Sequence, residues 1–347
     1  MGGAVSKAPH VQFGKRARLL LHHRSWYRLP FPCQAEMKRL AVWLLLVLAP
    51  LSVGAAMPYL YSRSVIVYNM EQGRVLLEKQ ADVVAPVASL TKLMTAMVLL
   101  DQHPALDEPL TIEPADVDLV KHSPSRLPVG ATLARGEMLR LALMASENRS
   151  ASALSRAIAG GKPAFVAKMN EKASALGMQQ TRFQDPTGLS PHNVSSARDL
   201  LRMADAASRY TLIREFTTLS NYRVEVARRS LRYRNTMLML REPGWGIQLS
   251  KTGFINEAGH CIVLKASLGS GPVIIVLMGA SSNRKRSADL ISIRNWLEGK
   301  EVTGAMLQAA YPAKRMPHHR AKAVVHHGEV RHAPYSKRPG LLNRPGI

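Results

Sequence analysis

The stretch from Ala88 to Asp101, Ala-Ser-Leu-Thr-Lys-Leu-Met-Thr-Ala-Met-Val-Leu-Leu-Asp, constrains the fold more than any other part of the chain. Leu90, Leu93, Met94, Met97 and Val98 recur at i, i+3, i+4, i+7 and i+8, the period of an α-helix, and Ala96, Leu99 and Leu100 make its other faces apolar too. A helix with no polar face belongs in the middle of a domain. Its first turn nevertheless carries Ser89 and Lys92, three residues apart and therefore neighbours on one face. Ser-x-x-Lys is common and also fits an N-cap followed by a solvated lysine. Burying an ammonium group is costly, however, and a hydroxyl beside a desolvated lysine is an activated nucleophile. The same pattern in Ser282-Asn283-Arg284-Lys285 lies in polar, basic surroundings after a strand, where it is expected only to open a surface helix.

Around this helix the chain reads as strands at both ends with helices between. Ser64 to Asn69 and Arg74 to Lys79 flank a Glu71-Gln72-Gly73 turn and predict a β-hairpin. Pro104 to Pro128 holds five prolines and predicts a surface excursion. Glu137 to Ala145 predicts a second buried helix that delivers Ser146-Glu147-Asn148, with further helices over 150–159, 163–176 and 197–209. Strands are predicted at Tyr222 to Val226, Leu231 to Arg234, Ile247 to Lys251, His260 to Ser267 and Val273 to Met278, and a closing helix at Arg284 to Leu297. Such an order implies a sheet assembled from distant parts of the chain.

The net charge of +23 over 347 residues is concentrated at the ends. Residues 1–56 hold eight Lys and Arg against Glu36, and residues 313–347 hold eight against Glu329, which leaves +9 for the middle. No helix-turn-helix, zinc-finger or aromatic RNA-binding pattern accompanies that charge, so no nucleic acid partner is expected. Lys38-Arg39, the apolar run Leu40 to Leu48 and the small residues Val53-Gly54-Ala55 predict a cleaved secretory signal over 37–56. Residues 1–36 are expected to be a start-site artefact, and residues 301–347 a basic, His- and Pro-rich disordered tail with solvated histidines. Cys261 would then be the only thiol of the exported chain, which leaves no internal disulfide. No His-Glu-x-x-His or Cys-x-x-Cys string occurs, so neither a metal nor a cofactor is expected.

A third element completes the pattern. Lys251-Thr252-Gly253 ends the strand Ile247 to Ser250, placing a cation and a donor on one edge while glycine lets a ligand approach the backbone. Ser89, Ser146 and Lys251 follow one another at 57 and 105 residues. Ser-x-x-Lys on a helix, Ser-x-Asn after a helix and Lys-Thr-Gly on a strand are, in this order, the three marks of the serine penicillin-recognising enzymes. With Ser-Glu-Asn-Arg at 146–149, Asp-Pro-Thr-Gly-Leu-Ser-Pro-His-Asn at 185–193 and Lys-Thr-Gly-Phe-Ile-Asn at 251–256, the chain from Ser64 to Gly299 resembles the low-molecular-weight penicillin-binding proteins, nearest their D-alanyl-D-alanine endopeptidase branch.

The resemblance implies an α/β (α+β) fold of β-lactamase/transpeptidase type over residues 57–300, with an antiparallel five-stranded sheet flanked by helices and a helical subdomain. It implies Ser89 as nucleophile, Lys92 as general base, Ser146 as proton relay and Asn148 as holder of the substrate amide. Lys251 and Thr252 would bind the substrate carboxylate, Gly253 would let the substrate approach the backbone, and the Phe254 N–H would share the oxyanion with that of Ser89. The implied partners are peptidoglycan peptide cross-links and β-lactams as covalent inhibitors, in the periplasm, with the basic tail touching anionic wall or membrane surfaces. Asp185, Thr187, Gly188, Asn193 and Asp199 read as shapers of a loop, His260 and Cys261 as core, and Glu147 is left without a role. Endopeptidase and carboxypeptidase both fit these motifs. A β-lactamase would also need a Glu-x-x-Leu-Asn loop, which is absent from the sequence, and a non-catalytic sensor would not need the intact set.

Overall fold

The computed structural model describes residues 57–300 apart from Ala227 and Ser270. The expected start-site segment 1–36, the signal 37–56 and the tail 301–347 lie outside the described residues. Among the described residues no helix is long and apolar enough to cross a membrane.

Strands β1 (Ser64–Asn69) and β2 (Arg74–Lys79) form the predicted hairpin. The two-residue β3 (Ala85–Pro86) then leads through a 3-10 turn, Ala88–Leu90, into helix α1 (Thr91–Leu100). Short strands β4 (Pro109–Thr111) and β5 (Thr132–Ala134) pair with each other and precede α2 (Arg135–Met144), α3 (Asn148–Arg156) and α4 (Gly161–Ala175). After β6 (Val194–Ser195) come α5 (Ala197–Ala207) and α6 (Thr211–Thr218). The chain finishes with the hairpin β7 (Asn221–Val226) and β8 (Arg229–Arg234), the long strands β9 (Ile247–Ile255), β10 (Gly259–Leu268) and β11 (Gly271–Ala280), and α7 (Asn283–Leu297).

The main sheet is antiparallel with the order β2-β1-β11-β10-β9, so the first and last strands of the chain meet at its centre, as the sequence pattern implied. Both faces of the inner strands are covered, which is why β1, β10 and β11 carry continuous apolar runs rather than alternating ones. Val65, Val67, Ile262, Leu264, Ile275 and Leu277 pack towards Leu290 and Ile293 of α7. Ile66, Leu249, Val263, Ile274 and Val276 pack into the cluster that holds α1 and the helical part. Every residue of α1 from Thr91 to Leu99 is buried, and α1 touches α2 to α6, so the helix predicted to be central is central.

Several elements differ from expectation. The short strands β3, β4, β5 and β6 were not foreseen, and β9 does not end at Lys251-Thr252-Gly253 but runs on to Ile255, paired with β10 throughout. Helix α6 was not foreseen, because its apolar face is reduced to Ile213 and Phe216. The proline-rich stretch 104–128 is only partly an excursion. Ile112 and Leu127 are fully buried, and Asp116 is buried against Arg156 at 3.0 Å. Pro114 starts a 3-10 turn and Pro109 opens strand β4, while aliphatic residues between the prolines reach the core.

Candidate active site

Ser89 lies in the 3-10 turn that opens α1, half-buried at the base of a cleft of about 320 Å³. Ala88 before it is held at φ +49° and Ser146 at φ +60°, left-handed values that strain residues with a Cβ. Such strain, of about 1–3 kcal/mol per residue, persists only where the surroundings over-determine the backbone. Here they do. The Gly188 backbone packs so tightly on this turn that a Cβ there would lie 2.0 Å from the Ala88 carbonyl oxygen. A Cβ on Gly253 would lie 3.0 Å from the Val87 oxygen and 3.1 Å from the Ser89 nitrogen. The glycine of Lys-Thr-Gly therefore lets β9 close on the chain's own Ser89 turn, a use the sequence reading had given to a ligand.

Lys92, one turn further along α1, is 1% exposed. Its Nζ lies 2.9 Å from Ser89 Oγ, 2.7 Å from Asn148 Oδ1 and 2.6 Å from the Thr187 carbonyl oxygen. The two carbonyl oxygens can only accept. A neutral amine has two N–H donors for them and one lone pair, which is left facing the Ser89 hydroxyl. Burial lowers the Lys92 pKa from 10.5 to about 8, and the carboxylates of Asp185, Glu147 and Asp118 only partly oppose it. The group is thus able to accept a proton near neutral pH.

Ser146 and Asn148 arrive on the turn between α2 and α3. Asn148 Nδ2 donates to Ser123 Oγ at 2.8 Å, so its amide is held at both ends. Ser146 Oγ accepts from Lys251 Nζ at 2.9 Å, and the same nitrogen donates to the Thr252 carbonyl at 2.9 Å. Lys251 is also 1% exposed, and its pKa is pushed well down by burial and by the charges of Lys92 and Arg286. Thr252 Oγ1 donates to Thr236 Oγ1 at 2.7 Å. Phe254 is exposed on the same strand and stacks on His260 with centroids 4.3 Å apart.

All eight candidate residues therefore meet at one place. Ser89, Ser146, Asn148, Thr252, Gly253 and Phe254 line the cleft, and the two lysines lie buried beneath it. Thr236, His260, Asn283 and Arg286 line it as well and were not foreseen. His260 is a correction: it was assigned to the core, but a bulge between His260 and Ile262 leaves it half-buried beside Phe254, while Cys261 alone enters the core. Ser123 was missed because nothing in its proline-rich surroundings marks it.

The loop after Asp185 is structural in its side chains, as expected. Asp185 accepts from the backbone N–H groups of Thr187, Gly188 and Ser190, and Asn193 ties the loop to Thr91. One backbone atom, Thr187 O, nevertheless belongs to the Lys92 site. Asp199 accepts from Gln180 N and Thr181 Oγ1. Glu147 is buried, accepts from Ser125 Oγ at 2.7 Å and caps α3, which explains it without a reaction role. Among the described residues no group of three or more His, Cys, Asp or Glu could hold a metal ion.

A five-stranded antiparallel sheet whose edge strand closes on a serine–lysine helix, with a helical subdomain on the other side of the cleft, defines the transpeptidase-like class of serine D,D-peptidases and penicillin-binding proteins. Within it the chain belongs to the S11 peptidase family, described as D-alanyl-D-alanine carboxypeptidase, whose profile matches residues 52–282. A D-alanyl-D-alanine endopeptidase of Pseudomonas aeruginosa is 43% identical over 267 residues, covering 76% of this chain and 86% of that one. Another from Escherichia coli is 40% identical over 275 residues, covering 78% and 86%. The crystal structure of the Streptomyces K15 DD-transpeptidase superposes with a TM-score of 0.66 at 28% identity, covering 71% of this chain and 100% of that one.

Proposed function

We propose that this chain is a serine-type D-alanyl-D-alanine endopeptidase that hydrolyses D-Ala–meso-diaminopimelate cross-links of peptidoglycan. The observation that carries the proposal is the buried Lys92 amine, held by two pure acceptors with its third direction on Ser89 Oγ. Ser89 Oγ attacks the D-Ala carbonyl carbon and gives its proton to Lys92 Nζ. The oxyanion is received by the backbone N–H groups of Ser89 and Phe254. As the amide C–N bond breaks, Ser146 passes the proton from Lys92 to the leaving nitrogen. Asn148 holds the substrate amide, and Lys251 with Thr252 holds the carboxylate beside the cleaved bond. Water then adds to the Ser89 ester and releases the acid. The two relatives at 43% and 40% identity are both named endopeptidases, which favours a cross-link over a terminal D-Ala as substrate.

The rest of the reading follows the sequence. Residues 37–56 act as a cleaved signal that takes the enzyme to the periplasm, residues 1–36 are not part of the exported protein, and residues 57–300 form the peptidase domain. Residues 301–347 hold it near anionic wall or membrane surfaces, and β-lactams inhibit it by acylating Ser89. Digestion of purified cross-linked and uncross-linked muropeptides tests the activity. Cleavage of dimers to monomers is expected, abolished by Ser89→Ala. Release of terminal D-Ala with dimers untouched would make the enzyme a carboxypeptidase, the activity for which a Bacillus subtilis relative at 32% identity is named.

A further inference from the structure

Beside the cleft lies a second, larger hollow of about 600 Å³, lined by Ser125, Arg126, Pro128, Arg149, Val226, Arg229 and Leu231. It opens between the loop before β5 and the β7–β8 hairpin. Arg126 and Arg149 are each fixed by one bond to a backbone carbonyl, Arg232 O at 2.7 Å and Leu127 O at 2.6 Å. Arg126 also lies over the Tyr233 ring, 4.8 Å from its centroid. A guanidinium has five N–H donors, so both are pre-positioned with donors to spare. Arg229 extends the inward row of β8 that continues in Leu231 and Tyr233, which aims it at the same hollow.

None of these three arginines takes part in an ion pair among the described residues, although Arg135, Arg156, Arg198, Arg202, Arg209 and Arg294 all do. The carboxylate that comes nearest in sequence, Glu147, is turned inward to Ser125 Oγ and the Arg149 backbone. The hairpin adds to the positive field rather than offsetting it, because Arg223 and Arg232 stand directly opposite each other in the ladder. Like charges in that position destabilise a strand pair. Two fixed guanidinium groups with a third beside them, none in an ion pair among the described residues, around a hollow of ligand size form a receptor for carboxylates.

The hollow and the cleft are lined by neighbouring residues. Asn148 faces the cleft and Arg149 the hollow, while β8 runs from Arg229 towards Thr236, which lines the cleft. Seven residues of extended chain span about 23 Å. A cross-linked pair of stem peptides is an extended chain of comparable length that carries free carboxylates at its γ-linked D-glutamates and diaminopimelate centres. We propose that the Arg126–Arg149–Arg229 hollow is a subsite for the stem-peptide carboxylates of cross-linked peptidoglycan, remote from the bond that is cut. The inference rests on the peptidase reading for its substrate, but its binding can be measured without turnover.

The test uses Arg126→Glu/Arg229→Glu, both exposed and outside the catalytic set, in the full exported chain. Acylation by a fluorescent penicillin, too small to reach the hollow, should stay within about twofold of the parent and reports an intact catalytic cleft. For muropeptide dimers KM should rise at least tenfold with kcat unchanged. Anisotropy of a labelled, uncross-linked tripeptide stem with the Ser89→Ala protein should show a tenfold loss of affinity in the charge-reversed form. A stem with its carboxylates amidated should bind the parent as weakly as the intact stem binds the variant. Arg229→Gln should fall between. Equal affinity of parent and variant for the intact stem would overturn the proposal, as would tight binding of the amidated stem. Loss of binding to anionic phospholipid vesicles with stem affinity unchanged would assign the hollow to a membrane surface and overturn it too. If dimers are not cleaved while stem binding remains carboxylate- and arginine-dependent, the subsite stands and the endopeptidase reading falls.

Discussion

If Lys92 is the general base, as proposed, acylation by penicillin should rise with pH through a limb near pH 8, because its proton must leave first. Burial brings Lys92 from 10.5 to about 8. At pH 7 the neutral fraction is then about one in ten instead of about three in ten thousand, a gain of about 300-fold in available base. In free energy that is about 3 kcal/mol, at roughly 1.36 kcal/mol per unit. The assay is the second-order rate constant for a fluorescent penicillin, measured from about pH 6 to about pH 10 under conditions where the fold is intact by circular dichroism. Lys92→Arg keeps a cation and its donors but cannot lose the proton. It should acylate at least about a hundredfold more slowly, with the limb gone.

The same shift has a sign for stability. Below pH 8 both folded and unfolded Lys92 are protonated, and the folded state bears the whole cost of burying the charge. Between about 8 and 10.5 the folded protein has released the proton and the unfolded chain has not, so stability rises with pH over that window. A rate profile flat across the range, or with its limb near the value of an exposed lysine, would refute the desolvated-base account. The geometry alone would then not be enough to make Ser89 reactive.

Three further outcomes follow from particular contacts. Gly188→Ala adds a Cβ 2.0 Å from Ala88 O at a residue held at φ +84°, so it should cost more than about 3 kcal/mol in denaturant unfolding. It should also slow penicillin acylation by moving the Ser89 turn. Ser123→Ala removes one of the two contacts that orient Asn148, and should slow acylation by roughly 5- to 30-fold, about 1–2 kcal/mol, with the urea midpoint little changed. Leu93→Ala opens a cavity in the fully buried α1 and should cost about 2–5 kcal/mol in urea unfolding.

What the sequence made legible was whatever depends on local period and on motif order. An all-apolar helical repeat identified α1 as central, because a helix with no polar face has no other stable position. The three motifs supplied seven of the eight candidate residues, since each motif spans three or four consecutive positions, and the family resemblance added Phe254. What could not be read were contacts set by tertiary approach. Ser123 reaches Asn148 across 25 residues, and Thr187 reaches Lys92 through a backbone oxygen, which leaves no side-chain signature. His260 was misplaced because strand alternation assumes an unbroken ladder, and the bulge after it breaks the alternation locally. The arginine hollow was equally hidden, being built from three stretches that the sequence keeps far apart.

The two buried lysines pose a problem that neither motif poses alone. In the proposed mechanism Lys92 has to be neutral to take the Ser89 proton and Lys251 has to be charged to hold a carboxylate, yet burial discourages charge on both. The carboxylates of Asp185, Glu147 and Asp118 favour the cation on Lys92, while the charges of Lys92 and Arg286 disfavour it on Lys251. These surrounding charges favour the proton on Lys92 over Lys251, the reverse of what the proposed reaction requires. A substrate carboxylate beside Lys251 supplies the negative charge missing there. Lys251 Nζ has contacts with Ser146 Oγ and Thr252 O, which leaves one ammonium N–H for that carboxylate. Once Lys251 is charged, its repulsion acts back on Lys92, because interacting groups titrate as a pair. Carboxylate binding and base activation are thus one electrostatic event. On this argument the Lys-Thr-Gly strand contributes to kcat as well as to affinity, because it helps to set which of the two amines is free to act.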